Sequence, residues 1–362
     1  TGKMRQIPSP RWQWTRDLAW TRNDTAIAVI GQEQDSSFQQ IWYLSDRPRE
    51  ARRVTNDLND YASISVTGDS KSLVSVQVQT VSNLYLLKGE ERTAAPTQIT
   101  AGSGRYFDLS WTPQGRILYA SDATGSADLW MMKADGSEQM QLTSITGRSY
   151  APVAAADGKT IAYHSNKSGS WNIWKANADG STPIQLTSDT QDSNWPQFTP
   201  DSTSILYHHT GLNGMWNIWK VPVSGGAPKQ LTTSLTTHPT LSPRDGRIAC
   251  WYSKNVDHPN WQLAIFAPQG GEPLRTFDIA STVVPDSNIR WTPSGEGITF
   301  LDGRGGASNI WVQPVNGERA RPLTSFPSGQ VYSFDWSPDG RLVFSRGLSV
   351  SDVVLIQDAA KR

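Results

Sequence analysis

Short runs in which apolar and polar residues alternate recur along the whole chain. Clear examples are ILYAS at 117–121, IAYHS at 161–165, ILYHH at 205–209 and LVFSR at 342–346. Alternation with a period of two over about five residues indicates a half-buried β-strand, because successive side chains of a strand point to opposite faces. No segment carries a convincing helical stripe. The pattern therefore predicts an all-β chain of short strands.

The strands belong to a repeat. The stretch GSWNIWKANADGSTPIQLT at 169–187 returns as GMWNIWKVPVSGGAPKQLT at 214–232, 45 residues further on. Turn-forming segments such as WTPQG at 111–115 and WSPDG at 336–340 precede the strands. Each repeat therefore predicts four antiparallel strands joined by turns. In five repeats a Trp is followed 13 residues later by a Thr: Trp42 and Thr55, Trp130 and Thr143, Trp174 and Thr187, Trp219 and Thr232, and Trp311 and Thr324.

A period near 45 residues with four strands is typical of a β-propeller blade. One blade cannot bury both of its faces alone, so blades stack radially and cover each other. We therefore predict one eight-bladed β-propeller domain over residues 1–362, with four antiparallel strands in each blade. The inner strands are expected to begin near Asp17, Ser63, Asp108, Ala151, Trp195, His238, Asn288 and Ser333.

The last repeat supplies only three strands. We predict that KMRQIPS at residues 3–9 forms the missing outer strand of the last blade. It would pair with the strand that contains Val353–Gln357 and close the ring. Such a closure removes an open strand edge, which otherwise invites pairing with other chains.

Composition excludes several classes of function. The 33 basic residues balance the 33 acidic ones, so bulk charge gives no reason to expect a nucleic acid or an acidic membrane as partner. No run approaches the roughly 20 apolar residues of a membrane span, and membrane attachment would require a tether outside this chain. We expect a monomeric domain. The single Cys250 excludes a disulfide inside the chain.

The residues give no sign of catalysis. No HExxH, CxxC, Walker or GxSxG motif is present, so we predict no enzyme, no catalytic residue, no cofactor and no metal. Cys250 lies in the apolar run RIACWYS and is expected to be a buried thiol. His208 and His209 are adjacent on a strand and therefore point to opposite faces. The Asp-rich segments 56–61 and 188–194 hold oxygen ligands suited to calcium, but neither matches an EF-hand loop.

A binding site is expected where the loops enter the inner strands, because these loops gather around the mouth of the central channel. Arg and aromatic residues, which are enriched at binding hot spots, are common there. They would suit an anionic or planar ligand, or an acidic peptide. The alternative is that the aromatic residues only plug the channel and pack between blades. The candidate residues are Arg16, Tyr61, Arg105, Tyr106, Arg148, Tyr150, Trp195, His238 and Tyr332.

The repeat pattern resembles known families. The elements WSPDG, IxYxS and NIWKxxxxGGxPxQLT resemble the WD-like propeller repeats of the TolB family. Over the whole chain, segments such as EARRVTNDLNDY at 50–61, TVSNLYLL at 80–87 and SDVVLIQD at 351–358 resemble the C-terminal propeller of bacterial membrane-anchored Ser/Thr protein kinases. The chain has no Gly-rich phosphate loop, HRD or DFG, so kinase activity would lie outside it.

This resemblance implies a non-catalytic sensor or interaction domain on the extracytoplasmic (periplasmic) side of a bacterial membrane. It would belong to a transmembrane Ser/Thr kinase or a transcriptional regulator, and its ligand would be a small molecule, a peptide or an envelope protein. One alternative is a TolB-like scaffold for envelope assembly. A second alternative is the accessory propeller of a prolyl oligopeptidase-type serine peptidase.

Overall fold

The computed structural model describes residues 4, 6–21, 26–46, 48–87, 95–102, 104–144, 147–283, 285 and 287–357. These residues form antiparallel β-strands and one short 3-10 turn, Arg304–Gly306. The prediction of an all-β fold with almost no helix is confirmed. The chain divides into two compact units: unit 1 comprises Thr1–Val81, Asp122–Ala127 and Leu348–Arg362, and unit 2 comprises Ser82–Ser121 and Asp128–Gly347.

Unit 1 contains the first two repeats. Its first sheet has the order β1 (Trp12–Trp20), β2 (Ala26–Glu33), β3 (Gln40–Asp46) and β4 (Arg49–Arg53). β5 (Asp60–Val66) pairs with the first part of β6 (Ser72–Leu87). The apolar faces of the two sheets form one core that contains Ile30, Ile41, Tyr61 and Ile64. The end of β29 (Leu342–Gln357) packs on this core through Val354 and Ile356.

Unit 2 contains five blades that are continuous in sequence, each a sheet of four strands. Within each of these blades the strands follow chain order from the inner strand to the outer strand. Blade I is β8 (Tyr106–Trp111), β9 (Arg116–Ser121), β10 (Asp128–Lys133) and β11 (Met140–Gln141); blade II is β12 (Ser149–Ala154), β13 (Thr160–Ser165), β14 (Asn172–Asn177) and β15 (Ile184–Gln185); blade III is β16 (Ser193–Phe198), β17 (Ser204–Thr210), β18 (Trp216–Pro222) and β19 (Lys229–Gln230); blade IV is β20 (Leu235–Leu241), β21 (Ile248–Ser253), β22 (Gln262–Ala267) and β23 (Gly270–Asp278); blade V is β24 (Arg290–Trp291), β25 (Gly297–Asp302), β26 (Asn309–Pro314) and β27 (Arg321–Pro322).

Blade VI of unit 2 is assembled from both ends of the sequence. Its strands are β28 (Gln330–Trp336), the first part of β29, the last part of β6 and β7 (Thr97–Gln98). Tyr85 of β6 stacks on Phe344 of β29 with 5.6 Å between the ring centroids. The outer strands of this blade thus come from residues that precede blade I.

The inner strands of unit 2 close on themselves after six blades. The backbone N–H of Leu109 in β8 donates to Ser333 Oγ in β28 at 3.0 Å, and the N–H of Trp111 donates to Asp335 Oδ2 at 2.8 Å. In a ring of eight blades in chain order, β8 would follow β5 and would not lie beside β28. The prediction of one eight-bladed ring is therefore not confirmed: strands form near all eight predicted starts, and the last six inner strands close a ring of their own within unit 2.

The reason lies in the second repeat. Blades I, II, III and V separate their second and third strands by a turn with Gly, as in KSG at 167–169 and LNG at 212–214, whereas residues 79–83 read QTVSN. Without a Gly there, the two predicted strands merge into β6, which is 16 residues long. β29 is equally long and runs without interruption to Gln357. Each of these two strands contributes residues to both units.

The predicted N-terminal closing strand is not observed. Residues 3 and 5 lie outside the described residues, and residues 4 and 6–9 form no strand. The sheet neighbours of β29 are β28 and β6, so the long β6 takes the place that residues 3–9 were expected to fill.

The 13-residue landmark has a direct structural cause. Thr187 Oγ1 accepts the backbone N–H of Ile173, the residue before Trp174, at 2.9 Å. The same bond at the same distance links each outer-strand Thr to the third strand in the other repeats that carry the landmark pair. The turn between these strands also touches the preceding blade: a Cβ at Gly180 (φ +84°) would overlap the carbonyl oxygen of Leu142. The residues that recur in the repeat therefore make contacts within a blade and between neighbouring blades.

Candidate functional site in the channel of unit 2

One cavity of about 340 Å³ lies where the six inner strands of unit 2 end. Every blade contributes to its wall, which agrees with a closed ring of six. The last residue of each inner strand lines it: Trp111, Ala154, Phe198, Leu241, Trp291 and Trp336. Pro243, Pro293 and Pro338, from the turns that follow, complete the rim.

The cavity contains a buried ion pair. Arg290 Nε lies 2.9 Å from Asp335 Oδ1, and the two side chains are 13% and 14% exposed. The guanidinium also donates to the carbonyl oxygens of Ile289 at 3.0 Å and Leu109 at 3.4 Å. These contacts join blades V, VI and I. The guanidinium is therefore engaged by the protein itself, and the pair holds the ring closed.

A second carboxylate lies near this pair. Burial raises the pKa of Asp108 to about 6, although the N–H of Ala151, which donates to Asp108 Oδ2 at 3.1 Å, and the positive charge of Arg290 both lower it. Burial also raises the pKa of Asp335, against the opposing effect of Arg290. The channel therefore holds one cation, Arg290, and two carboxyl groups. Burial disfavours the ionised form of both carboxyl groups.

The tryptophans at the cavity use their N–H groups inside the ring. Trp111 Nε1 donates to the carbonyl oxygen of Asp335 at 3.3 Å, and Trp291 Nε1 to that of Thr240 at 3.3 Å. Trp336 Nε1 donates to Thr299 Oγ1 at 3.2 Å. The indole N–H groups are therefore already engaged within the ring, so the tryptophans offer a ligand their ring surfaces, beside polar side chains such as Ser110, Gln197 and Thr240. The tryptophan and proline rings of this wall suit an aromatic, proline or other apolar group.

Two of the predicted site residues belong to unit 1. Arg16 is exposed and its guanidinium donates to Gln39 Oε1 at 3.3 Å. Tyr61 is buried in the core, and its hydroxyl donates to Asp57 Oδ2 at 2.8 Å. Burial raises the pKa of Tyr61 to about 12, and the neighbouring Asp57 contributes to the rise. Tyr61 therefore packs between the two sheets of unit 1.

Four predicted residues do come together in unit 2, at the opposite end of the inner strands from the cavity. The rings of Trp195 and His238 lie 4.4 Å apart, and His164 connects Trp195 to Tyr150 with 5.8 Å to each ring. Arg148 Cζ lies 5.2 Å from the ring centroid of Trp171, which contacts Tyr150 in turn. We call this set, together with His208, the entry cluster.

The entry cluster is mostly buried. Arg148 is 6% exposed and His238 is 3% exposed, whereas Tyr150 and Trp195 are half-buried. Burial lowers the pKa of His164 and of His208 to about 3, and that of His238 well below its ordinary value. These imidazoles are therefore neutral at physiological pH. Packing accounts for Arg148 and His238, while binding through Tyr150 and Trp195 stays a prediction.

The remaining predicted residues lie on blades I and VI. Tyr106 is buried and its ring lies 5.5 Å from that of Tyr119 in the core. Burial raises the pKa of Tyr332, and the positive charge of half-buried Arg105 opposes the rise. Within the described residues, the buried hydroxyl of Tyr332 has no hydrogen-bond partner. Tyr106 is thus a packing residue, and Arg105 and Tyr332 stay candidates.

The inner strands share a backbone feature that the sequence analysis missed. Asp108, Ala151, Trp195 and His238 have φ between 48° and 57°, a region that non-glycine residues rarely adopt. Each lies at a register shift of its inner strand, where a β-bulge turns the chain. A signal was available: Pro follows three of the four, and the residue before Pro avoids the right-handed helical region.

The sequence analysis also missed Arg290 and Asp335. The residue before the last residue of the inner strand is charged in RWTP at 290–293 and DWSP at 335–338, but it is Ser110, Val153, Gln197 or Thr240 in the other blades of unit 2. That contrast is readable in the sequence. Pairing of the two side chains is not, because they belong to different blades.

Other candidate chemistry is limited. Cys250 is buried as predicted, and burial raises its pKa. His208 Nδ1 bonds Thr237 Oγ1 at 2.6 Å and His209 Nδ1 bonds Ser193 Oγ at 3.0 Å, so the adjacent imidazoles do have separate partners. Across the part of the chain that the structure describes, no group of three or more His, Cys, Asp or Glu is arranged to hold a metal ion. Nor does any helix among these residues have the length and apolar character to cross a membrane.

Comparison with known proteins places the fold. TolB from Acinetobacter baumannii has a TM-score of 0.54 at 16% identity, over 93% of this chain and 79% of that chain. A nidogen/laminin complex has a TM-score of 0.52 at 9% identity, over 69% of this chain and 98% of that chain. A puromycin-hydrolyzing peptidase from Mycobacterium tuberculosis has a TM-score of 0.48 at 14% identity, over 87% of this chain and 53% of that chain.

Identities this low show a shared fold and nothing finer. No curated protein matches the sequence. The family model of the TolB beta propeller domain, however, matches residues 18–243, which is more than half of the chain. This chain belongs to the TolB beta propeller domain family.

Proposed function

We propose that this protein is a non-catalytic binding propeller whose ligand or partner inserts an apolar group into the channel of unit 2. The observation that carries the proposal is the cavity bordered by all six inner strands, with Trp111, Trp291 and Trp336 on its wall. Pockets formed by aromatic side chains and held by rigid strands are typical binding sites.

The residues that line the cavity favour a different ligand from the one that the sequence suggested. The sequence favoured an anionic or planar ligand because of its Arg residues. Arg290 is already engaged by Asp335 and two backbone carbonyls, so it has little to offer an anion. An aromatic or proline side chain at the cavity fits better, since tryptophan and proline rings form part of the wall.

The biological setting rests on the sequence resemblance. We infer a sensor or interaction domain of a transmembrane Ser/Thr kinase or transcriptional regulator, on the extracytoplasmic side of a bacterial membrane. A TolB-like scaffold that binds another envelope protein is the second candidate, and it is consistent with the TolB family match. The accessory propeller of a serine peptidase is the third candidate from the sequence.

The test uses N-acetyl-tryptophanamide and a Trp-Pro-Pro peptide as probes, with binding measured by saturation-transfer NMR. We expect both to bind and Gln197→Trp, which fills the cavity from its wall, to abolish binding. Gln139→Trp, at an exposed turn of blade I, is the matched control and should bind like the parent protein. No binding of either probe, or unchanged binding by Gln197→Trp, would rule out the channel as the site.

A further inference from the structure

We propose that a groove between blades III and IV of unit 2 binds an extended acidic peptide of a partner protein. The peptide would place an aromatic or proline anchor in the channel cavity and its carboxylates at the outer end of the groove. The anchor rests on the proposed function; the acidic outer end goes beyond it.

Three cavities follow one another along this seam. The channel cavity shares Leu241 and Pro243 with a second cavity of about 480 Å³. The second cavity shares Lys220 and Pro268 with a third of about 470 Å³. The third reaches Lys229 on the outer strand β19. Because each cavity shares wall residues with the next, they form one track from the channel to the edge of the ring.

The walls of this track suit a peptide in an extended conformation. Pro200 and Pro243 line the second cavity, Pro222 lines the third, and Pro268 lines both. A proline ring is rigid and has no N–H, so it offers an apolar surface that loses little conformational entropy on binding. Narrow apolar grooves with a pocket at one end commonly hold a linear peptide by one anchor residue.

Charge gives the peptide a direction. The third cavity is lined by Lys220 and Lys229 and by no carboxylate. Within the described residues, neither ammonium group lies within ion-pair distance of a carboxylate. The second cavity is balanced, because Asp201 and Asp245 face Lys220 and Arg244 there. A chain of zero net charge thus presents a local positive site at the outer end, which complements carboxylates.

The neighbouring charges do not cancel this site. Asp245 Oδ2 forms an ion pair with Arg247 Nε at 2.8 Å, and the guanidinium of Arg244 lies 3.4 Å from Glu296 Oε1. The pKa of Asp201 is lowered chiefly by the Thr199 hydroxyl and by the N–H of Thr203, with only a smaller effect of Lys220. Lys220 therefore retains charge for a ligand, and Lys229 is exposed on β19.

The experiment selects random peptides of about 12 residues, long enough to span the groove when extended, by phage display against the whole protein. We expect enriched peptides to combine an Asp or Glu cluster with a Trp or Pro. The affinity of a synthetic copy should fall about tenfold in Lys220→Ala/Lys229→Ala and should fall similarly when its acidic residues become Gln. Raising the salt concentration should weaken binding of the acidic copy but not of the Gln copy.

Lys254→Ala is the control, because Lys254 is an exposed lysine of blade IV that lines none of the three cavities. Selection of peptides without acidic residues, or unchanged binding by the double lysine variant, would overturn the groove. If Gln197→Trp removes N-acetyl-tryptophanamide binding while no acidic peptide binds, the proposed function is supported and the acidic-peptide groove is refuted. If acidic peptides lose affinity in the lysine variant but not in Gln197→Trp, the outer site stands without the channel anchor.

Discussion

At the scale of single residues, charged and polar side chains join neighbouring blades. Arg290 of blade V pairs with Asp335 of blade VI, and Asp108 of blade I accepts the N–H of Ala151 of blade II. Ion pairs removed from water contribute little net stability as a pair, but they are costly to break one partner at a time. The pair therefore acts mainly by fixing which blades are neighbours.

Replacing Arg290 by Gln should lower the free energy of unfolding by about 3 kcal/mol, because the buried carboxylate of Asp335 loses its counter-charge. Urea unfolding at pH 7.5 measures the effect. Arg290→Met with Asp335→Leu should recover most of the loss, since no charge is then left buried. The exposed pair Arg244 and Glu296 supplies the control: Arg244→Gln should change stability by less than about 0.5 kcal/mol. A loss as large in the double variant as in Arg290→Gln would contradict this account.

At the scale of the element, the blades with a short outer strand are held by the same side chain, a Thr that follows this strand. These strands have only two residues in blades I, II, III and V, so backbone pairing alone is slight. The following Thr adds a bond from its hydroxyl to the third strand, as Thr187 does for Ile173. The Thr of the repeated Leu-Thr or Ile-Thr pair thus attaches the outer strand to the third strand of the blade.

Thr187→Val keeps the shape of the side chain but leaves the buried N–H of Ile173 without its acceptor. We expect a loss of about 1–3 kcal/mol in the free energy of unfolding. Thr187→Ser, which retains the hydroxyl, should lose distinctly less. Thermal and urea unfolding of the two variants provide the measurement, and equal losses in both would show that the methyl group, not the hydroxyl, carries the effect.

At the scale of the whole molecule, the entry cluster makes stability depend on pH. The folded pKa values of His164, His208 and His238 lie below the ordinary value of 6.5, so below that pH the unfolded chain binds more protons than the folded one. Stability is therefore complete above about pH 6.5 and is lost as the pH falls toward the folded pKa values, which are about 3 for His164 and His208. Asp108, with a raised pKa of about 6, has the opposite sign between pH 6 and 4 and offsets part of the loss.

The unfolding free energy should thus decrease between pH 7 and pH 5, by up to about 1.4 kcal/mol per pH unit for each histidine. Urea unfolding at several pH values checks this slope. His208→Gln removes one titrating group and should make the slope shallower. A slope that does not change in this variant would mean that His208 is protonated in the folded protein.

Local patterns along the chain are enough to specify the kind of element and the kind of fold. Alternation with period two, turn residues and the Trp-to-Thr spacing are local properties, because strands, turns and the Thr187 bond to Ile173 all form within one blade. They sufficed to predict an all-β propeller with inner strands at eight positions, and these were confirmed as strands. The burial of Cys250 followed in the same way from the apolar run around it.

The grouping of the blades and the position of the cavity depend on contacts between residues that are distant in the sequence. Ring closure depends on Leu109 meeting Ser333 and on Tyr85 meeting Phe344, contacts between residues far apart in the sequence that no local pattern encodes. The eight-fold count assumed that blades follow chain order, and the unbroken β6 and β29 overturn that assumption. For the same reason Arg148 and His238 were predicted at a channel mouth but are buried, while Arg290 and Asp335 find each other across two blades: burial and pairing are set by neighbours in space, and the closure of the ring supplies those neighbours.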